Sequence, residues 1–184
     1  MDTHETIKNE TISEVEYVGF WKRVLASILD IIILSPVLFF YMKHYIYFME
    51  NKLFLPVLLY TILSYCFQVF FQVRYGGTPG KLITKIRIVN DNGQYISVLQ
   101  SLTRLSPQLV STILSFIANF FILNGVVNRI LLLIVNLFTF FFLIDVLAVV
   151  FNKKKRAIHD YIANTYVVTK QSLNEVKEDS IDLI

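Results

Sequence analysis

Four long apolar runs predict an all-α membrane protein, a four-helix transmembrane bundle with a small cytoplasmic β-hairpin/tail cap. The runs lie at about 24–42, 53–73, 105–123 and 130–151, each near the roughly 20 residues that a hydrocarbon core about 30 Å thick requires. Composition agrees: 55% of the 184 residues are hydrophobic, with 16 Phe and 10 Tyr, and mean hydropathy is +0.57, where a soluble chain is about 45–50% apolar. A soluble helical core is disfavoured by size, because so short a chain has too little polar sequence to cover four helices that are apolar all round.

The basic residues orient the bundle. Lys8, Lys22, Arg23, Arg74, Lys81, Lys85, Arg87, Arg104, Lys153, Lys154, Lys155, Arg156, Lys170 and Lys177 fall on one face, against Lys43, Lys52 and Arg129 on the other. The positive-inside rule then places both termini in the cytoplasm of a cell (inner) membrane protein. The net charge of +3 is membrane-flanking and gives no sign of nucleic-acid binding. The expected polyanion is the anionic inner leaflet, with 153–156 the clearest lipid-facing cluster.

Residues 1–17 form a polar cytoplasmic segment. Asp2, Glu5, Glu10, Glu14 and Glu16 stand where a signal peptide would have a basic region and an apolar core, so the first span is its own insertion signal. The sequon at Asn9 faces the cytoplasm and is read as chance. The single Cys66 permits no intramolecular disulfide.

The transmembrane unit covers 18–168. Span one carries Asp30 and Pro36, and span two Pro56, Gln68 and Gln72. The segment 76–105 then opens with Gly76-Gly77-Thr78-Pro79-Gly80-Lys81, a rigid turn. It is no phosphate loop: three residues rather than four separate Gly76 from Gly80, and Leu82 follows Lys81. β-Branched residues alternating with Lys85 and Arg87, a turn at 90–93 and a short run at 94–97 read as a β-hairpin. Two strands alone are marginal, so the strand-like 165–169 of the tail is expected to join them in a cytoplasmic sheet. Residues 97–104 form an amphipathic lead-in to span three, with Pro107 in that span's first turn. Span four carries Asn136 and Asp145, and the acidic tail 169–184 is expected to be disordered.

Three separated motifs resemble one family. Gly19-Phe20-Trp21-Lys22-Arg23 with Asp30 seven residues on, the loop 77–89 followed by Arg104, and the stretch 156–165 containing His159-Asp160 are similar to the RDD family of membrane proteins, named for one Arg and two Asp. Asn164 stands where that family usually has Gly, and Asn is the next best residue for positive φ. The resemblance covers about 18–168 and implies a multi-pass bacterial-type membrane protein. It also implies transport of unidentified solutes, with cation/proton antiport attached to some members.

The intramembrane acids carry the functional argument. A carboxylate at membrane depth costs several kcal/mol unless paired, protonated or wetted. Asp30 lies eight residues past Lys22 and Asp145 eight before Lys153, so both sit about 12 Å below the cytoplasmic boundary. Two readings compete. In one, Asp30 and Asp145 line a polar cavity with Gln68, Gln72, Asn136, Arg23 and Arg104, and exchange a proton for a cation. In the other, favoured for either acid alone, each accepts hydrogen bonds from Arg23, Arg104, Tyr or Ser on adjacent spans and fixes packing. Thr78, Pro79, Gly80, Lys81, Arg87, His159 and Asp160 form a candidate cytoplasmic motif, with Asp160 capping a helix or pairing with Arg87, Arg104 or Arg156.

No catalytic, cofactor or metal site is expected. His159-Asp160 has no nearby Ser or Cys nucleophile, His4 and His44 lie on opposite faces, and an aspartyl membrane protease lacks its local motifs. The leading expectation is solute or ion transport, favouring a homo-oligomer. The alternative is a membrane adaptor that binds another membrane protein or anionic lipid through its loop and tail.

Overall fold

A computed structural model describes residues 15–175. The Asn9 sequon, His4, Lys8, Lys177 and the acids from Glu178 onward lie outside the described residues. Four helices are long and apolar enough to cross a membrane: α1 Phe20–Glu50, α2 Phe54–Tyr75, α4 Val98–Leu123 and α5 Arg129–Phe151. Between α2 and α4 come the five-residue helix α3, Pro79–Ile83, and strand β1, Ile86–Asn90. After α5 come a second short helix, α6 at Ile158–Ile162, and strand β2, Thr165–Thr169.

The long helices turn large apolar side chains outward, Phe39, Leu63 and Phe151 among them, as a lipid-facing surface requires. At about 1.5 Å per residue the 31 residues of α1 reach about 46 Å, longer than a hydrocarbon core, so its last turns carry Lys43, His44 and Glu50 past the apolar zone.

Two prolines sit inside helices, and the same local device serves both. Pro36 leaves the Ile32 carbonyl without its amide partner, and the Ser35 hydroxyl donates to that oxygen at 2.7 Å. Pro107 frees the Thr103 carbonyl, and the Ser106 hydroxyl donates to it at 2.8 Å. Side-chain donors of this kind let a membrane helix tolerate proline. The position of Pro107 differs from expectation, because α4 starts at Val98 and runs through the lead-in without a break. Pro56 differs in the opposite sense. It falls in the first turn of α2, where its missing N–H would be an orphan anyway.

The loop and tail do form one sheet. β1 and β2 pair antiparallel, with Ile88 opposite Val167. The expected hairpin is reduced to a single bridge between Val89 and Tyr95. The cause is local: Ser97 and Gln100 make a reciprocal capping box that starts α4, leaving no residues for a second strand. The free edge of β2 is taken instead by the N-terminal segment, through a bridge from Tyr17 to Val168.

Strand periodicity gives the sheet two buried faces. Ile86, Ile88 and Val167 pack with Val18, Ala26 and Ile96 on one side, while Val89, Tyr166 and Val168 pack with Val15 and Leu173 on the other. Leu173 belongs to a helical turn at 170–175, so this part of the tail is ordered, contrary to the expected disorder. An apolar side chain at 173 anchors it.

Helix α3 packs against the second and third turns of α1, and Gly80 permits the approach. A Cβ at that position would lie 2.1 Å from the Ala26 carbonyl oxygen and 2.7 Å from the Asp30 nitrogen. Gly80→Ala should therefore destabilise the protein by at least about 1–3 kcal/mol, seen as a lower thermal unfolding midpoint in detergent.

Candidate functional site

Each intramembrane acid is met by the start of a short helix that descends from the cap. Thr78 precedes Pro79, the first residue of α3, and proline there leaves the Gly80 N–H as the next free amide. That amide donates to Asp30 Oδ1 at 2.7 Å and the Thr78 hydroxyl donates to Oδ2 at 2.6 Å. On the other side of the cap, Ile158 opens α6, and the His159 N–H donates to Asp145 Oδ1 at 2.8 Å. The His159 ring places Nδ1 at 2.6 Å from Asp145 Oδ2. Both acids thus receive the second amide of a helix and one side chain. A helix N-terminus favours a carboxylate because its amides are unpaired and its dipole end is positive.

The partners expected for these acids are different from those found. Among the described residues neither is bonded to an arginine, a tyrosine or a serine of an adjacent span. Donors come from the loop and tail, and each acid has its own set.

The arginines converge instead on Asp160, which is fully buried. Arg23 Nη1 donates to Asp160 Oδ2 at 2.7 Å, and Arg104 Nη1 lies 2.5 Å from Oδ1. The same carboxylate caps its own helix, accepting from the Ala157 N–H at 3.1 Å. Arg23 also donates through Nε to the Val18 carbonyl and through Nη2 to the Lys155 carbonyl. Arg104 Nη1 donates to the Thr165 hydroxyl at 2.6 Å, and its Nη2 sits 3.2 Å from His159 Nε2. Burial pushes the Asp160 carboxyl up, but the Arg104 and Arg23 guanidinium groups outweigh it and hold the group well below the usual carboxylate range.

An arginine only donates hydrogen bonds, so His159 Nε2 accepts from Arg104 and Nδ1 carries the proton that faces Asp145. The result is a continuous path Asp145, His159, Arg104, Asp160, Arg23 that ties α5, α6, α4 and α1 together. A second polar contact joins α4 to α2, where the Ser101 hydroxyl donates to Gln72 Oε1 at 3.2 Å.

The remaining candidate residues lie around this path. Lys81 is half-buried on α3, and its ammonium makes no hydrogen bond or ion pair among the described residues. Arg87 donates to the adjacent Ile86 carbonyl and does not pair with Asp160. Arg156 donates to the Asp160 main-chain carbonyl at 2.9 Å, with its guanidinium over the rings of Tyr161 and Tyr166. Gln68 is half-buried on α2 and Asn136 exposed on α5. Asn164 adopts the expected positive φ, 50°, which lets the chain turn from α6 into β2. Among the described residues no group of three or more His, Cys, Asp or Glu could hold a metal ion.

Sequence reasoning missed the amides of Gly80 and His159, the Arg23–Asp160 pair and the role of the Thr165 hydroxyl. A signal for the first was present, since Thr78-Pro79 is a helix-start pattern. The Arg23–Asp160 pair spans 137 residues and has no local signature.

Four apolar helices closed at one end by a charged, hydrogen-bonded cap define a multi-pass helical membrane protein. Residues 17–164 match the model of the RDD family, and the chain belongs to that family. Neither a curated protein nor a solved structure matches it.

Removing the Asp160 charge leaves the buried Arg104 and the partly buried Arg23 without their common counter-ion. Asp160→Asn should cost about 3–5 kcal/mol at neutral pH, measured by unfolding in detergent. Because the folded-state value is depressed, ionised Asp160 stabilises the fold above the unfolded value of about 3.9, and this contribution is lost as pH falls through and below it. Wild-type stability should therefore decline below about pH 5 more steeply than that of Asp160→Asn.

Proposed function

We propose that this protein moves a solute or ion across a bacterial-type cell membrane, with both termini cytoplasmic, by exchanging a cation for a proton near Asp145 and Asp30. The observation that supports this reading is the position of the His159 ring between Asp145 and the Arg104–Asp160 pair. In the neutral ring, Nε2 accepts from Arg104. A proton arriving at Nε2 turns that acceptor into a donor facing a second donor, and the remaining acceptor is Asp160 Oδ1, 3.3 Å away. Protonation thus breaks the Arg104–His159 contact and loosens α6 from α4. A cation arriving at Asp145 competes with the imidazole for the same carboxylate oxygens, so one charge enters as the proton leaves. A second copy of the chain supplies the room for a path that one four-helix bundle lacks. This reading includes no enzymatic step and no cofactor.

One observation favours a second reading, a non-transporting adaptor or regulator. Asp30, Asp145 and Asp160 each accept hydrogen bonds from internal donors, as a purely structural role would require. The loop and the basic stretch 153–156 would then bind a membrane protein or anionic lipid.

Proteoliposomes separate the two. Across a pH gradient and with several monovalent cations, the wild type should exchange cation for proton, and Asp30→Asn and Asp145→Asn should each abolish exchange while still inserting. Wild-type protein silent with every cation would sink the transport reading, and the proteins copurifying with the loop and tail would become the question.

A further inference from the structure

A groove of about 480 Å³ runs between the start of α1 and the end of α5. Gly19, Trp21 and Lys22 form one wall, and Val149, Val150 and Lys155 the other. Its chemistry is divided. The valines give an apolar floor at the end of a membrane-spanning helix, whereas the two lysines place positive charge at the rim. Neither ammonium makes a hydrogen bond or ion pair among the described residues, and no acid lines the groove. Gly19 caps α1 without a side chain, so the first-turn amides of α1 add further donors on the same side.

Trp21 is 80% exposed, an indole met by the neighbouring Phe20 ring at an edge and otherwise open. An exposed indole beside lysines, at the end of an apolar span, matches the headgroup level of a bilayer, where amphipathic rings concentrate. Lys155 is held in place from within: its backbone has a positive φ of 49°, and its carbonyl is bound by Arg23, whose other end grips Asp160. The two walls of the groove are therefore joined behind it by the buried charge network.

We infer that this groove is a binding site for one anionic phospholipid, whose phosphate lies between Lys22 and Lys155 and whose acyl chains run along the exposed Val150 beside Trp21. The site is independent of any transported species. It implies that the junction between α1, α5 and the α5–α6 connection is completed by lipid.

The chain contains one tryptophan, so fluorescence quenching reports on this site alone. The full chain would be reconstituted in mixed phosphatidylglycerol and phosphatidylcholine vesicles, with bromine carried at equal mole fraction on one lipid or the other. A lysine at an anionic surface contributes about fivefold in partitioning. Brominated phosphatidylglycerol should therefore show at least about fivefold higher apparent association with Trp21 than brominated phosphatidylcholine. Lys22→Gln/Lys155→Gln should bring the two lipids to parity, and Lys153→Gln/Lys154→Gln, which removes equal charge nearby, should leave the preference in place. Equal quenching of the wild type by both lipids would overturn the site without reference to any variant. So would a preference that survives Lys22→Gln/Lys155→Gln, or one lost as fully in Lys153→Gln/Lys154→Gln, since the attraction would then be diffuse.

Discussion

A carboxylate within a span must be given donors, and here the donors are the unpaired amides at the starts of two five-residue helices. This constraint organises the capped end. The Gly80 amide can reach Asp30 only because position 80 has no Cβ to hold α3 away from α1. Pro79 serves the same end, since its ring starts α3 and removes a competing N–H. The His159 amide can reach Asp145 only because α6 is carried back under the bundle, and β2 holds it there by pairing with β1. The sheet is thus a tether for the helix that satisfies Asp145.

Charge and apolar packing are divided in an unusual way for so small a chain. The buried apolar clusters lie in the cap, around the two-stranded sheet, while the spanning helices turn most of their apolar surface outward. Lipid is as apolar as leucine, so burial between spans brings little hydrophobic gain. Helix association there rests on packing and on polar contacts such as Tyr65 to Thr112 and Ser101 to Gln72. At the capped end the bundle is held by the ion pairs of Asp160, which join the first and third spans through the tail.

The spans were legible because a run of about 20 apolar residues states its own role. Loop and tail sharing a sheet was legible too, from strand-like 86–89 and 165–169 on one predicted face. The hairpin was misread because alternation at 94–97 was weighed without the competing capping pair Ser97 and Gln100. The partners of Asp30 and Asp145 are not legible from side chains on neighbouring spans, because two of the donors are main-chain amides. Asp160 pairing with Arg104 was among the expected contacts. Arg23 was expected to serve Asp30 or Asp145, whereas its partner lies 137 residues away and leaves no local trace.

That separation has a consequence for how the protein is made. Arg23 enters the membrane with the first span, yet Asp160 is synthesised 137 residues later, a delay on the order of ten seconds at ribosomal speed. Throughout that interval Arg23 is in or beside the bilayer without the partner that α6 brings, and Arg104 and then Asp145 join it in turn. The nascent bundle therefore carries unmatched charges until α6 arrives.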